Sequence, residues 1–235
     1  MVPPRLSRVR SIVVAFAVFL LVGCVSNPAV PRPQPVGHVL EGALAGQQRA
    51  YLTVRDAASR VQVETAELPG RLYRVTTPAD SGLSPRVSGP PDRVRLDLRR
   101  TGDQGPDTVV ITLNRNVRWD IRLPAGAGEQ HLDLSGGKLR RLDLGAAGLV
   151  VLRLPEPAGT VPVTITGGVA TVRMAAPRGT RTLVRLRGGA GAVSTPWRSA
   201  NGSAAGAVLA SHGWQRSRDR YAVEARAGLG SLTLR

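Results

Sequence analysis

Few residues of this 235-residue chain could do chemistry, and they are scattered. Cys24 is its one thiol, a potential nucleophile when ionised. His38, His131 and His212 stand apart, and no two of them have metal-ligand spacing. Ser211 adjoins His212, but adjacent side chains on a strand point opposite ways. Asp133 and Asp143 are the two acids that could serve as paired carboxylates on a glycosidic bond. No Gly-x-Ser-x-Gly elbow, phosphate loop or dinucleotide glycine fingerprint occurs. A single cysteine excludes both a disulfide framework and a multi-cysteine zinc site. These residues predict a protein that is not an enzyme and holds neither metal nor cofactor. Arginine is what the chain has in excess. It carries 32 Lys+Arg against 16 Asp+Glu, a formal charge of +16, and Lys138 is the only lysine.

Cys24 has a telling context. Residues 1–10 contain Arg5, Arg8 and Arg10 and no acid, and Ile12 to Gly23 then runs without a charge. A basic start followed by a short apolar run is the pattern of an export signal. The run is shorter than the roughly 20 apolar residues of a membrane-spanning helix. Leu21-Val22-Gly23-Cys24 resembles the lipobox of bacterial lipoproteins. That resemblance implies a diacylglyceryl group on the Cys24 thiol and cleavage just before it. Two acyl chains hold a protein on a membrane where one does so only marginally. Pro28, Pro31, Pro33 and Pro35 follow closely and favour an extended spacer. The expected organisation is a leader over 1–23, a lipidated Cys24 with a Pro-rich tether over 24–45, and one β domain over 46–235. The leader would take Arg5, Arg8, Arg10 and both phenylalanines, Phe16 and Phe19, with it.

The elements that must position everything else read as strands. Tyr51–Val54, Val61–Glu64, Leu72–Val75 and Val94–Leu98 are rich in β-formers and are separated by Gly, Pro, Asp and Ser. Residues 37–48 are compatible with a short helix. Over a repeat core at about 107–193, apolar-x-apolar triplets recur every nine to twelve residues: Ile111/Leu113, Ile121/Leu123, Leu132/Leu134, Leu142/Leu144, Leu152/Leu154, Val163/Ile165, Val172/Met174 and Val184/Leu186. Glycine-rich corners such as Ser135-Gly136-Gly137 and Gly167-Gly168 lie between them. A fixed short period with glycine corners predicts an all-β fold, either a short-rung β-solenoid or a regular β-meander, with capping strands at both ends. Tyr51–Leu98 and the closing strands near Tyr221 and Leu232 are the expected caps.

In each triplet the outer residues share the core face and the middle one points to solvent. With about twenty residues per coil, a solenoid sets Arg122 beside Asp143 and Asp133 beside Arg153, and brings Arg153 against Arg173. Arg153, Arg173 and Arg185 are therefore the candidate anion-binding residues. Trp119 and Trp214 could stack on sugar rings, although packing is the simpler role for so few aromatics.

The stretches Val117 to Leu123, Asp133-Leu134-Ser135, Leu152 to Val163 and Thr166-Gly167-Gly168-Val169 resemble exported β-solenoid domains of high-GC Gram-positive bacteria that are grouped as candidate adhesins. The resemblance covers roughly residues 105–195 and rests on structural motifs. It implies a fold and no catalytic residues. The reading is of a lipoprotein on the extracytoplasmic face of the cell membrane with a non-catalytic structural or interaction role. One alternative is an Arg-rich binding module for an anionic envelope polymer or acidic lipid headgroups. Another is an enzyme acting on cell-wall polysaccharide through Asp133 and Asp143. Nucleic acid is not an expected partner, because export would separate the protein from it.

Overall fold

A computed structural model describes residues 36–235. The expected leader, Cys24 and the four prolines of the expected tether lie outside the described residues. The first half of the body contains β1 (Val36–Ala43), β2 (Arg49–Val54), β3 (Ala58–Ala66), β4 (Arg71–Pro78), β5 (Leu83–Ser88), β6 (Arg93–Arg100), β7 (Thr108–Asn114), β8 (Arg118–Leu123) and β9 (Ala127–Asp133). The second half contains β10 (Lys138–Leu144), β11 (Ala147–Arg153), β12 (Thr160–Ile165), β13 (Val169–Ala175), β14 (Arg181–Leu186) and β15 (Ala190–Thr195). It closes with β16 (Arg198–Ser203), β17 (Ala207–Ala210), β18 (Arg220–Ala225) and β19 (Leu229–Leu234).

The residues read as a possible helix over 37–48 form β1 and a turn instead. Seven positions of β1 pair antiparallel with β4, and those ladder bonds outweigh a local preference. Strand structure is therefore present from Val36, inside the span expected to be tether.

Two sheets face each other, one of ten strands and one of nine. Within the repeat, strands of the same sheet pair in parallel: β8 with β10, β10 with β12, β9 with β11 and β11 with β13. This is a solenoid, because a meander would pair its neighbours antiparallel. Its inward side chains stack in register as ladders. Val94, Leu52, Ile121, Leu142, Val163, Val223, Val184 and Leu209 form one across the nine-stranded sheet, and each is buried. Corners stack as closely as the strands. Gly126 has φ 77, and a Cβ there would lie 2.3 Å from the Ala146 carbonyl oxygen of the next coil.

The order of the coils differs from the order of the chain. In the nine-stranded sheet β2 lies between β6 and β8, and β18 between β12 and β14. In the ten-stranded sheet β3 lies between β7 and β9, and β19 between β13 and β15. Coils from near both ends of the described chain are thus inserted inside the stack. The strands at Tyr221 and Leu232, expected to close the end, are interior. Antiparallel strands do the capping: β5 beside β6 and β4 with β1 beyond β7 at one end, β17 and β16 at the other.

Among the polar residues in the core, Gln130 is the one whose whole side-chain amide lacks a partner. Gln130 sits in the ladder Val61, Gln130, Val150, Val172. It is 0% exposed, and neither side-chain polar atom has a hydrogen-bond partner. An unsatisfied buried amide is destabilising, so Gln130→Leu is expected to stabilise the fold by about 1–3 kcal/mol. A urea titration checks this; a lower unfolding midpoint than wild type contradicts it.

Candidate anion-binding faces

With the apolar residues turned inward, the polar residues of each strand cover two flat outer faces. The faces differ in charge. The strands of the nine-stranded sheet carry fourteen Lys and Arg against four acids, and those of the ten-stranded sheet six against four.

Two charge pairs expected from a twenty-residue coil are present. Arg122 Nε lies 3.4 Å from Asp143, whose carboxylate also accepts from Arg141 Nε at 2.8 Å. Arg153 Nη1 lies 3.3 Å from Asp133. Burial alone would raise the Asp133 pKa. Hydrogen bonds from the Ser135 hydroxyl (2.6 Å) and N–H (3.2 Å), with Arg153, outweigh it and leave the value lowered. Glu129 on the same face is also lowered, by its hydrogen bond with His131 (2.9 Å) and by Arg60 (3.0 Å).

Arg153 does not stack on Arg173. Val151 faces Arg173 and Arg153 faces Ala175. Leu132 stacks on Leu152, twenty residues on, but Leu152 stacks on Met174, twenty-two on. The longer coil shifts the register by one side-chain pair and removes the expected repulsion.

The three candidate arginines do not converge. Arg153 and Arg173 line a shallow groove of about 350 Å³ on the ten-stranded sheet, with Val151, Met174, Thr233 and Arg235. Arg235 was not singled out in the sequence, because it follows the last triplet. Arg185 lies on β14 in the other sheet and is in register with Glu224, which pairs with Arg187 at 3.0 Å.

Asp133 and Asp143 also lie on different sheets and on opposite outer faces, so they cannot flank one glycosidic bond. Trp119 is 1% exposed, and its Nε1 donates to the Asn114 carbonyl at 3.0 Å. Trp214 Nε1 donates to the Tyr221 carbonyl at 2.9 Å, and the Arg220 guanidinium covers its ring at 4.1 Å. Both rings are engaged in packing. His38 Nδ1 contacts the Thr77 hydroxyl at 3.1 Å. Among the described residues no group of three His, Cys, Asp or Glu side chains could hold a metal.

The cations that the sequence left inside its corners are more prominent. Arg49, Arg118 and Lys138 open β2, β8 and β10, which are neighbours in the nine-stranded sheet. The available signal was a cation directly after a corner and before the first apolar residue, repeated on alternate strands of the repeat.

Comparison with known families and structures concerns the architecture. Residues 92–175, from the start of β6 through β13, match the family described as the N-terminal domain of toast_rack, DUF2154. No curated protein matches the chain. The structure of a candidate cell adhesion protein from Clostridium sporogenes is similar with a TM-score of 0.63 at 17% identity, covering 84% of this chain and 98% of that one. A candidate adhesin from Bacteroides fragilis gives a TM-score of 0.29 at 9% identity, over 86% of this chain and 100% of its own. The first of these likenesses supports the fold; the second is too distant to bear on it. The chain has an all-β, solenoid-like architecture similar to that of the clostridial protein.

Proposed function

We propose that the protein is a lipid-anchored component of the cell envelope, held on the extracytoplasmic face of the membrane, with a non-catalytic interaction role exercised by the outer faces of its sheets. The observation that carries the interaction role is the unequal charge of two otherwise similar faces. A uniform compositional excess of arginine would be shared between them. A cationic sheet beside a membrane attracts anionic neighbours at long range and holds them less well as salt rises. The alternative of an Arg-rich binding module is favoured in altered form. The strongly cationic face is that of the nine-stranded sheet, which holds only Arg185 of the three, while Arg153 and Arg173 share a groove with Arg235 on the less charged ten-stranded face.

The anchor rests on Leu21-Val22-Gly23-Cys24 and is tested there. Cys24→Ser is expected to move the protein from the membrane fraction to the soluble extracytoplasmic fraction, or to leave it unprocessed at its precursor mass. Fractionation of mature protein unchanged from wild type overturns the anchor.

A further inference from the structure

The first residues of six neighbouring strands in the nine-stranded sheet, β2, β8, β10, β12, β18 and β14, are Arg49, Arg118, Lys138, Thr160, Arg220 and Arg181. Five of the six are cations. Arg118 is directly in register with Arg49 on one side and Lys138 on the other, and Arg220 is in register with Thr160 and Arg181. Adjacent strands are about 4.8 Å apart, so the row is about 24 Å long. Like charges directly opposite one another on neighbouring strands are unfavourable, and here the unfavourable arrangement is repeated.

The row is not neutralised by the protein. Among the described residues none of the five cations forms an ion pair. The acids closest in sequence to Arg118 and Arg220 are Asp120 and Asp219. Asp120 is buried and paired with Arg140, and Asp219 accepts the Gly159 N–H at 2.6 Å. Two of the five cations are nonetheless held in place. Lys138 Nζ donates to the Asn116 carbonyl at 3.2 Å. Arg220 donates to the Thr160 hydroxyl at 2.9 Å and to the carbonyls of Trp214 (2.9 Å) and Gln215 (3.0 Å). Arg49, Arg118 and Lys138, with Gln48 and Asn116, border a concavity of about 560 Å³.

We infer that this row is a track for a linear polyanion, one chain wide, whose repeated phosphate or carboxylate groups run across the strands. The inference deepens the interaction role above and rests on it. The shape of the charge selects a polymer over a membrane plane. Four residues further along the same strands, Arg122 faces Asp143 and Arg185 faces Glu224, so that row is balanced. A flat anionic surface would press on those acids as well. A single extended chain lying on the first row meets only cations and Thr160. Guanidinium groups suit such a ligand because their fork matches phosphate and carboxylate oxygens.

The test uses the full-length chain in detergent, with inorganic polyphosphate, polyglutamate and orthophosphate as probes. Polyphosphate or polyglutamate is expected to bind in a length- and salt-dependent way, and orthophosphate far more weakly. The comparison of the two polymers identifies the anionic group. The triple variant Arg49→Gln, Arg118→Gln, Lys138→Gln is expected to lose affinity about ten-fold or more and to show a shallower salt dependence. A charge-matched control, Arg122→Gln, Arg141→Gln, Arg187→Gln, removes arginines that already have acid partners and should change affinity by less than about two-fold. The row variant should also melt higher than wild type at low salt, with the difference closing at high salt, because like-charge repulsion is gone.

Equal loss in both variants, no polymer binding by wild type, or lower thermal stability of the row variant at low salt each overturns the track. So does a preference for phosphatidylglycerol over phosphatidylcholine vesicles that the row variant retains while polymer binding is absent. A Cys24→Ser protein that stays on the membrane but still binds polymer through the row removes the anchor and leaves the track standing.

Discussion

A chain ended after Ser217 is expected not to fold cooperatively. In most solenoids the last coil contacts only one neighbour, so its removal trims the stack. Here the last two strands lie within it. β18 is bonded to β12 on one side and β14 on the other, and β19 to β13 and β15. Removing them takes Tyr221, Val223, Ala225, Leu229, Leu232 and Leu234 out of the core, every one of them buried. At roughly 1.5–3 kcal/mol for each large apolar side chain, the loss is on the order of 10 kcal/mol. That is comparable to the whole net stability of an ordinary domain, about 5–15 kcal/mol. The gap also exposes the edges of four strands at once, an invitation to aggregation. The expected result is an aggregated or protease-sensitive product with no sharp thermal transition. A truncated protein melting cooperatively within a few degrees of wild type would show that β14 can close directly on β12. Deleting β1, which pairs only with β4, should be far milder.

Trp119→Ala is the second severe change, expected to cost about 3–5 kcal/mol. Trp119 fills the core beside the corner between β7 and β8, and Asn114 is the pin of that corner. The Asn114 amide donates to the carbonyls of Leu68 (2.9 Å) and Arg71 (2.7 Å), its side-chain oxygen accepts from the Asn116 N–H (3.0 Å), and its backbone carbonyl takes the indole N–H. Trp119→Phe retains most of the packing and should cost less, while removing one of the two donors to the Asn114 carbonyl and leaving only the Val117 N–H at 3.2 Å. Chemical denaturation of the two variants separates cavity from hydrogen bond. If the alanine variant unfolds at the same denaturant concentration as wild type, Trp119 is not part of the core. Because Arg118 directly precedes Trp119 and Asn116 holds Lys138, the alanine variant should also blur the cation row.

The repeat was legible because a two-residue alternation and a corner every nine to twelve residues leave little freedom. The Arg122–Asp143 and Asp133–Arg153 pairs followed from coil length alone. Arg153 against Arg173 did not, since two further residues in one coil shift the register by a full side-chain pair. The inserted coils were not legible either. The apolar pattern of β18, with Tyr221, Val223 and Ala225, is compatible with several slots in the stack, and nothing local says that its partners are Val163 and Val184 rather than a free end. The possible helix over 37–48 did not form for a related reason: β1 pairs with β4, twenty-eight to forty-two residues away in sequence. The cation row escaped notice because each member sits at a corner, where a polar residue looks unremarkable. Only the parallel register shows that these positions are neighbours.

The interleaving of coils also constrains the order in which the chain can become structured. A regular solenoid can grow by adding each coil to the one before it, with contacts that stay local in sequence. In this protein β2 and β3 cannot be enclosed until β6 and β7 have formed beyond them, and β14 and β15 have no permanent seat until β18 and β19 arrive. Pairings such as Val161 with Tyr221 bridge sixty residues, and long-range pairing of this kind slows folding. Assembly of the stack is therefore completed only after β19 is present, so a chain emerging segment by segment holds an open slot until residues 218–235 fill it.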